Sequence, residues 1–279
     1  MLGIVDVGGG LRAVYGAGIL DFCLDQGICF DWYGGVSAGA GNLISFLAGQ
    51  RGRNHRFYTR YSSRPEYMGL RTLLRTGAYL NLDYIYSEIA HSQGEDPLDF
   101  DAFTAKGLPL VIVATDGNTG APCYFTGADL QKDAYDPLIA SSTLPVVCKP
   151  RQISGIPYFD GGLSDPIPLQ KALDAGCKRV VVILSRPRDY FRTGEKDARF
   201  AALLRRSYPE VARLLRERFR LYNDQLSYAH ALEAEGRALI LAPEDCCGVN
   251  TLTRDASRLN RLYQSGYADA TRLSRWLEG

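Results

Sequence analysis

The sequence is poor in histidine and has no long apolar run. Only His55, His91 and His230 occur in 279 residues, and no two stand within helical reach, which argues against a histidine-based metal site. The seven cysteines, an odd number, show no C-x-x-C or other ligand spacing and read as reduced thiols. The longest apolar stretches, such as residues 180–184, are strand-sized and far short of the ~18 residues a membrane span requires. The first residues carry neither a basic region nor the apolar core of a secretory signal, so the expected compartment is the cytosol. No basic repeat interleaves with aromatics, and no nucleic-acid partner is expected.

What remains is an ordinary globular composition, with 46% hydrophobic and 23% charged residues and a net charge of +1, which excludes disorder and collagen-like structure. At ~150 residues per domain the length gives just under two domains, and single α/β domains also reach this size. Charge is unevenly spread. Residues 51–75 hold seven arginines against the single acid Glu66, and residues 186–220 hold eleven Lys/Arg against five acids. Such stretches read as solvated helix faces or as basic surface that meets anionic lipid headgroups.

Along the chain, apolar runs that end in glycine alternate with helical periodicity. Residues 2–7 read as a buried strand that stops at Gly8-Gly9-Gly10, followed by a helix to Gly27. A strand over 30–36 and a helix over 38–48 repeat the pattern, the opening of a parallel α/β sheet. Residues 51–105 have helical spacing and suit a cover. Strands are predicted at 108–115 and 122–126 about the turn Asp116-Gly117-Asn118-Thr119-Gly120. A helix is predicted over 129–141, an extended stretch between Pro145 and Pro150, and a strand ending at Asp160-Gly161-Gly162. A helix over 167–175 and a strand over 179–184 follow. Beyond Ser185 the pattern gives helices over 197–207, 209–235 and 253–278, with one strand at 238–242. The expected organisation is a catalytic domain over 1–185 and a mostly helical extension over 186–279, packed on the same domain.

Three short motifs carry chemistry. Gly35-Val36-Ser37-Ala38-Gly39 fits G-x-S-x-G where a predicted strand passes into a predicted helix. A serine hydroxyl becomes a nucleophile on such a sharp turn, and flanking glycines permit the close approach it needs. Ser37 could equally serve as a helix N-cap. Gly8-Gly9-Gly10-Leu11-Arg12 lies at an equivalent junction, where successive amides can turn toward one anionic point. With Ala13 it also satisfies a dinucleotide-binding pattern, and Asp31 stands where a ribose-binding acid would sit. That reading makes the protein an oxidoreductase. The alternative makes the same amides an oxyanion hole for an intermediate formed on Ser37. Asp160, ahead of Gly161 and Gly162, is a candidate base if burial raises its pKa; a plain Asp-Gly turn is the bland reading. His230 is the rival base, since Ser37, Asp160 and His230 follow the serine–acid–histidine order of α/β-hydrolases.

In that order, Gly8-Gly9-Gly10-Leu11-Arg12, Gly35-Val36-Ser37-Ala38-Gly39 and Asp160-Gly161-Gly162 resemble the patatin-like phospholipases over roughly residues 3–185. The stretch from Gly8 to Asp21 and the Asp116–Gly120 turn are similar to a bacterial branch of that family. The resemblance implies a three-layer α/β/α fold with a mainly parallel central sheet and a helical C-terminal part. It implies Ser37 as nucleophile, Asp160 as its partner in a Ser–Asp dyad, and the Gly9, Gly10 and Leu11 amides of the Gly8–Leu11 loop as the oxyanion hole, with Arg12 nearby. The implied substrate is an acyl ester of a membrane lipid, met by a protein that touches the membrane peripherally, with no metal and no cofactor. A catalytically quiet lipid-binding protein is a further alternative. One departure stands out, because Ala13 occupies a position where the family usually has glycine.

Overall fold

A computed structural model describes residues 1–278; Gly279, the last residue of the expected extension, lies outside the described residues. Eight strands form one sheet: β1 (Leu2–Asp6), β2 (Trp32–Val36), β3 (Leu110–Asp116), β4 (Pro122–Thr126), β5 (Arg151–Ile153), β6 (Ile156–Asp160), β7 (Arg179–Ile183) and β8 (Ala238–Leu241). The helices are α1 (Val14–Asp25), α2 (Ala38–Leu47), α3 (Arg53–Arg56), α4 (Leu70–Thr76), α5 (Phe100–Lys106), α6 (Asp136–Ser142), α7 (Leu169–Asp174), α8 (Glu195–Leu204), α9 (Pro209–Ala234), α10 (Ala256–Asp269) and α11 (Thr271–Glu278).

The sheet is parallel through β3, β2, β1, β7 and β8, and antiparallel where β4, β6 and β5 join. Alternation along the strands splits the core. Ile4, Val181, Ile183 and Tyr33 face a large cluster with α1, α2, α10 and the 51–105 cover, while Val5, Val180 and Val182 face a second cluster with α7 and α9. Burial of both faces explains the near-continuous apolar runs of the parallel strands. The architecture is the three-layer α/β/α arrangement expected.

The C-terminal part shares this core. β8 extends the sheet beside β7, and α10 lies backbone to backbone on α1. A Cβ added at Gly18 would stand 2.1 Å from the Tyr263 carbonyl, and one at Gly266 would stand 2.0 Å from that of Tyr15. Tyr15 Oη donates to Asp269 and Tyr263 Oη to Asp21, at 2.8 and 2.7 Å, fastening the two helices reciprocally.

Several boundaries differ from the sequence reading. α6 begins at Asp136 and not near 129, because Pro137 lacks an amide hydrogen and fits only a first helical turn. The preceding residues close a capping box between Thr126 and Asp129 instead. The helix expected over 253–278 is two helices with a break at Ala270, and Asp255 caps the first by accepting from the Ser257 and Arg258 amides. The Arg-rich residues 51–75 are no uniform basic face. Arg51 pairs with Asp25, Arg53 and Arg56 with Asp96, and Arg60 and Arg64 with Glu95.

Candidate active site

β2 carries Gly35 and Val36 to the centre of the sheet and ends at Ser37, the first residue outside it. Ser37 has φ 57° and ψ −132°, a strained conformation for a residue with a side chain. Its amide donates to Ser141 Oγ at 2.8 Å, and that hydroxyl donates to the Val113 carbonyl at 2.6 Å. Ser141, which the sequence reading did not single out, thus ties the elbow to the neighbouring strand.

Asp160 reaches the same point from the opposite direction. Along one edge of β3, β2 pairs as far as Val36 against Val113, and β6 takes over with Asp160 against Ala114. The two strands run head-on, so their C-terminal ends abut. The sequence marks Asp160 as a strand end and leaves the direction of that strand open; the strand is antiparallel, and its register brings the carboxylate to the serine. Asp160 is held by the amide of Gly162 on Oδ1 at 2.8 Å, by its own amide on the Thr143 carbonyl, and by Thr115 Oγ1 on its carbonyl. Burial pushes its pKa above the usual carboxylate value, and the neighbouring Ser37 hydroxyl offsets part of that rise. Oδ2 is buried and has no hydrogen-bond partner of normal geometry among the described residues.

The glycine loop closes over the elbow from β1. Gly8, Gly9 and Gly10 have φ of 66°, 119° and 62°, a run that residues with a Cβ rarely adopt. A Cβ at Gly8 would stand 2.2 Å from the Val36 carbonyl, and one at Gly39 would stand 2.2 Å from that of Asp6. The loop's amides are not equivalent. Gly8 donates to Asp6 Oδ1 at 2.9 Å and Leu11 to the Thr251 carbonyl at 3.1 Å. The Gly9 and Gly10 amides have no protein acceptor among the described residues. Of the Gly8–Leu11 amides, these two are therefore the ones left without a protein partner among the described residues. Arg12 turns away and is buried, its Nη1 on Thr251 Oγ1 at 3.0 Å. Burial, then the charges of Arg186 and Arg192, lower its pKa to about 10. Ala13 sits at φ −65°, in ordinary helical space, and its methyl group adds no strain.

Beneath the loop runs a buried polar chain that the sequence did not announce. Tyr58 Oη donates to Asn42 Oδ1, and Asn42 Nδ2 donates to Asp6 Oδ2 and to the Ala13 carbonyl, each at 2.9 Å. Asp6 accepts on both oxygens, yet burial lifts its pKa to about 6 against the pull of Asn42 and Gly8.

The elbow opens into a largely apolar pocket. Ser37, Gly10 and Leu11 line it together with rings and aliphatic side chains that include Phe57, Tyr61, Tyr67, Leu80, Ile85 and Leu144. Apolar walls with a few convergent polar groups suit a molecule with a long hydrocarbon part.

Two alternatives fail on position. Asp31 precedes β2, where its amide and carboxylate bond to Leu2. That is one strand length, about 16 Å, from the glycine loop, and so not where a ribose held there would lie. His230 lies on α9 with its ring nitrogens facing Arg188 and Glu233, so it does not serve Ser37. All seven cysteines are free. Among the described residues no group of His, Cys, Asp and Glu could hold a metal ion, and no helix is long and apolar enough to cross a membrane.

Comparison with known proteins adds four findings. A family model described as patatin-like phospholipase matches residues 7–173, and one described only as a domain of unknown function matches residues 208–278. The chain is 32% identical to an Escherichia coli (strain K12) protein described as "Uncharacterized protein YjjU", over 197 residues covering 69% of this chain and 54% of that protein. The crystal structure of VipD from Legionella pneumophila matches with a TM-score of 0.53 at 15% identity, over 97% of this chain and 66% of VipD. The chain thus spans about half the length of the curated relative it matches, and the likeness to VipD is one of fold.

Proposed function

We propose, on the premise that the chain belongs to the patatin-like phospholipase family, that it hydrolyses carboxylic ester bonds of lipids through an acyl-enzyme on Ser37. The observation that carries this reading is the head-on meeting of β2 and β6, which sets a strained serine beside a buried carboxylate with an unpartnered oxygen.

In the proposed reaction Asp160 takes the Ser37 hydroxyl proton as Oγ attacks the ester carbonyl. The Gly9 and Gly10 amides donate to the developing oxyanion; one such donor is typically worth roughly 3–4 kcal/mol in the transition state. Collapse expels the alcohol or lysolipid, which leaves with the proton held on Asp160. Water then gives up a proton to Asp160 and attacks the acyl-enzyme, and collapse releases the fatty acid as Ser37 Oγ takes that proton back from Asp160. The raised pKa of Asp160 suits a carboxylate that must both accept and return a proton. The pocket walls hold the acyl chain, and Asp6 and Ser141 position the two loops.

The test is turnover of a p-nitrophenyl ester and of mixed bacterial lipids, with products identified by mass spectrometry. Ser37→Ala and Asp160→Asn should each abolish both activities while the fold persists, and a fluorophosphonate should label wild type at Ser37. Undiminished turnover in Ser37→Ala would end the hydrolase assignment, and a protein that binds lipid yet neither reacts nor labels would be catalytically quiet.

A further inference from the structure

We infer that the tip of the 67–81 excursion and the adjoining 144–150 loop form the face on which this protein docks onto a bilayer containing anionic phospholipid, holding the Ser37 pocket against the lipid. The inference rests on the lipid-hydrolase reading and deepens it by naming the surface.

The excursion leaves the pocket wall at Tyr67 and returns to it at Leu80. Its base is closed by the Asn81 amide on the Tyr67 carbonyl and the Gly69 amide on the Tyr79 carbonyl, at 2.7 and 3.0 Å. The Val147 carbonyl accepts from both Tyr79 and Leu80, which joins the second loop to the same rim. α4 sits at the tip. Thr72 faces inward with its hydroxyl on the Pro65 carbonyl, while Leu70, Leu73 and Leu74 are 73%, 40% and 88% exposed. Val146 adds a fourth exposed apolar side chain at φ 73°. Left-handed backbone is disfavoured for a β-branched residue, and here it presents part of the side chain to solvent.

Cations surround this ridge. Five of the seven arginines in residues 51–75 are ion-paired, whereas Arg71 and Arg75 have no ion pair among the described residues. Lys149 reaches one end of α4, 2.9 Å from where a Cβ on Gly77 would stand, and Arg254 lies over Gly69 at the other and donates to Tyr79 Oη. These two also lack an ion pair among the described residues, and Glu66 is the acid that shares a cleft with Arg71 and Arg75. Leucines flanked by long cationic side chains match a lipid interface, where the leucines enter the acyl region and the cations stay with the phosphates. A second copy of the chain would bring the same cations face to face, which like-charge repulsion opposes.

The test uses the full chain as Ser37→Ala, floated with phosphatidylcholine vesicles containing or lacking a quarter phosphatidylglycerol. Binding should require phosphatidylglycerol and weaken at high salt. Replacing Arg71 and Arg75 by Gln should reduce partitioning about fivefold for each cation, and Leu70→Ser with Leu74→Ser should reduce it by about tenfold or more. In the otherwise wild-type chain these variants should lose vesicle-lipid hydrolysis in proportion and keep turnover of a soluble short-chain ester. As a control, Phe200→Ser with Leu203→Ser, on another exposed apolar patch, should bind normally. The docking inference is overturned by wild-type binding in the Leu70/Leu74 variant, by loss of binding only in the Phe200/Leu203 variant, or by a Leu70/Leu74 change that dissolves a dimer without altering vesicle binding. Since docking is read on an inactive chain, α4-dependent binding without any hydrolysis would sink the proposed function and leave the dock standing. Hydrolysis without such binding would do the reverse.

Discussion

Asp6→Asn is expected to make the protein more stable at neutral pH and less active. Asp6 is fully buried, and its pKa rises from 3.8 to about 6 because burial penalises the carboxylate more than its bonds to Asn42 and Gly8 favour it. Between those values the folded protein binds a proton that the unfolded chain does not, so this group's contribution to stability falls as pH climbs from about 4 to above 6. About two pKa units at 1.36 kcal/mol each give a loss of roughly 3 kcal/mol. Asparagine mimics the protonated acid in being neutral and in offering one acceptor oxygen beside a donor group, the two N–H of its amide. The variant should therefore match wild type near pH 4 and exceed it by about 2–3 kcal/mol near pH 7.5, several degrees in Tm. The same loss of an acceptor leaves either the Gly8 amide or Asn42 Nδ2 without its partner. The glycine loop then sits less firmly over Ser37, and we expect ester turnover to fall by about tenfold or more. Urea denaturation across this range gives the stability difference, and the other buried carboxylates cancel because both proteins contain them. A difference that stays constant between pH 4 and 7.5 would refute the reasoning.

Three further outcomes are expected. Ser141→Ala removes the acceptor of the Ser37 amide and should cost about 1–3 kcal/mol by leaving a buried donor unpaired; kcat should fall more than KM changes, as kinetics on a soluble ester will show. Turnover should decline as pH drops through the folded pKa of Asp160, which burial places above 3.8, and His230→Ala should leave that profile unmoved; a limb that vanishes in His230→Ala would make histidine the base. Gly18→Val should drive side-chain atoms into the Tyr263 carbonyl across the α1–α10 contact and lower stability by at least about 1–3 kcal/mol, read as a drop in Tm with unaltered Ser37 labelling at low temperature.

The sequence alone determined what depends on neighbours in the chain. A strand, a glycine turn and a helix in succession mark Ser37 and the Gly8–Gly10 loop, because elbow geometry and a run of positive φ demand small residues at fixed offsets. Ordered with Asp160-Gly161-Gly162, those motifs were enough to suggest family and architecture. Tertiary structure decided what depends on register and on residues far along the chain. That Asp160 meets Ser37 follows from an antiparallel strand taking over the edge of β3 where β2 stops, and no local signal encodes strand direction. That Leu11 is spent on Thr251, leaving Gly9 and Gly10, needed a segment 240 residues away to fold across the loop. Which arginines remain free was likewise set by acids from distant segments, since an ion pair forms wherever folding brings opposite charges within reach and composition alone records only their sum.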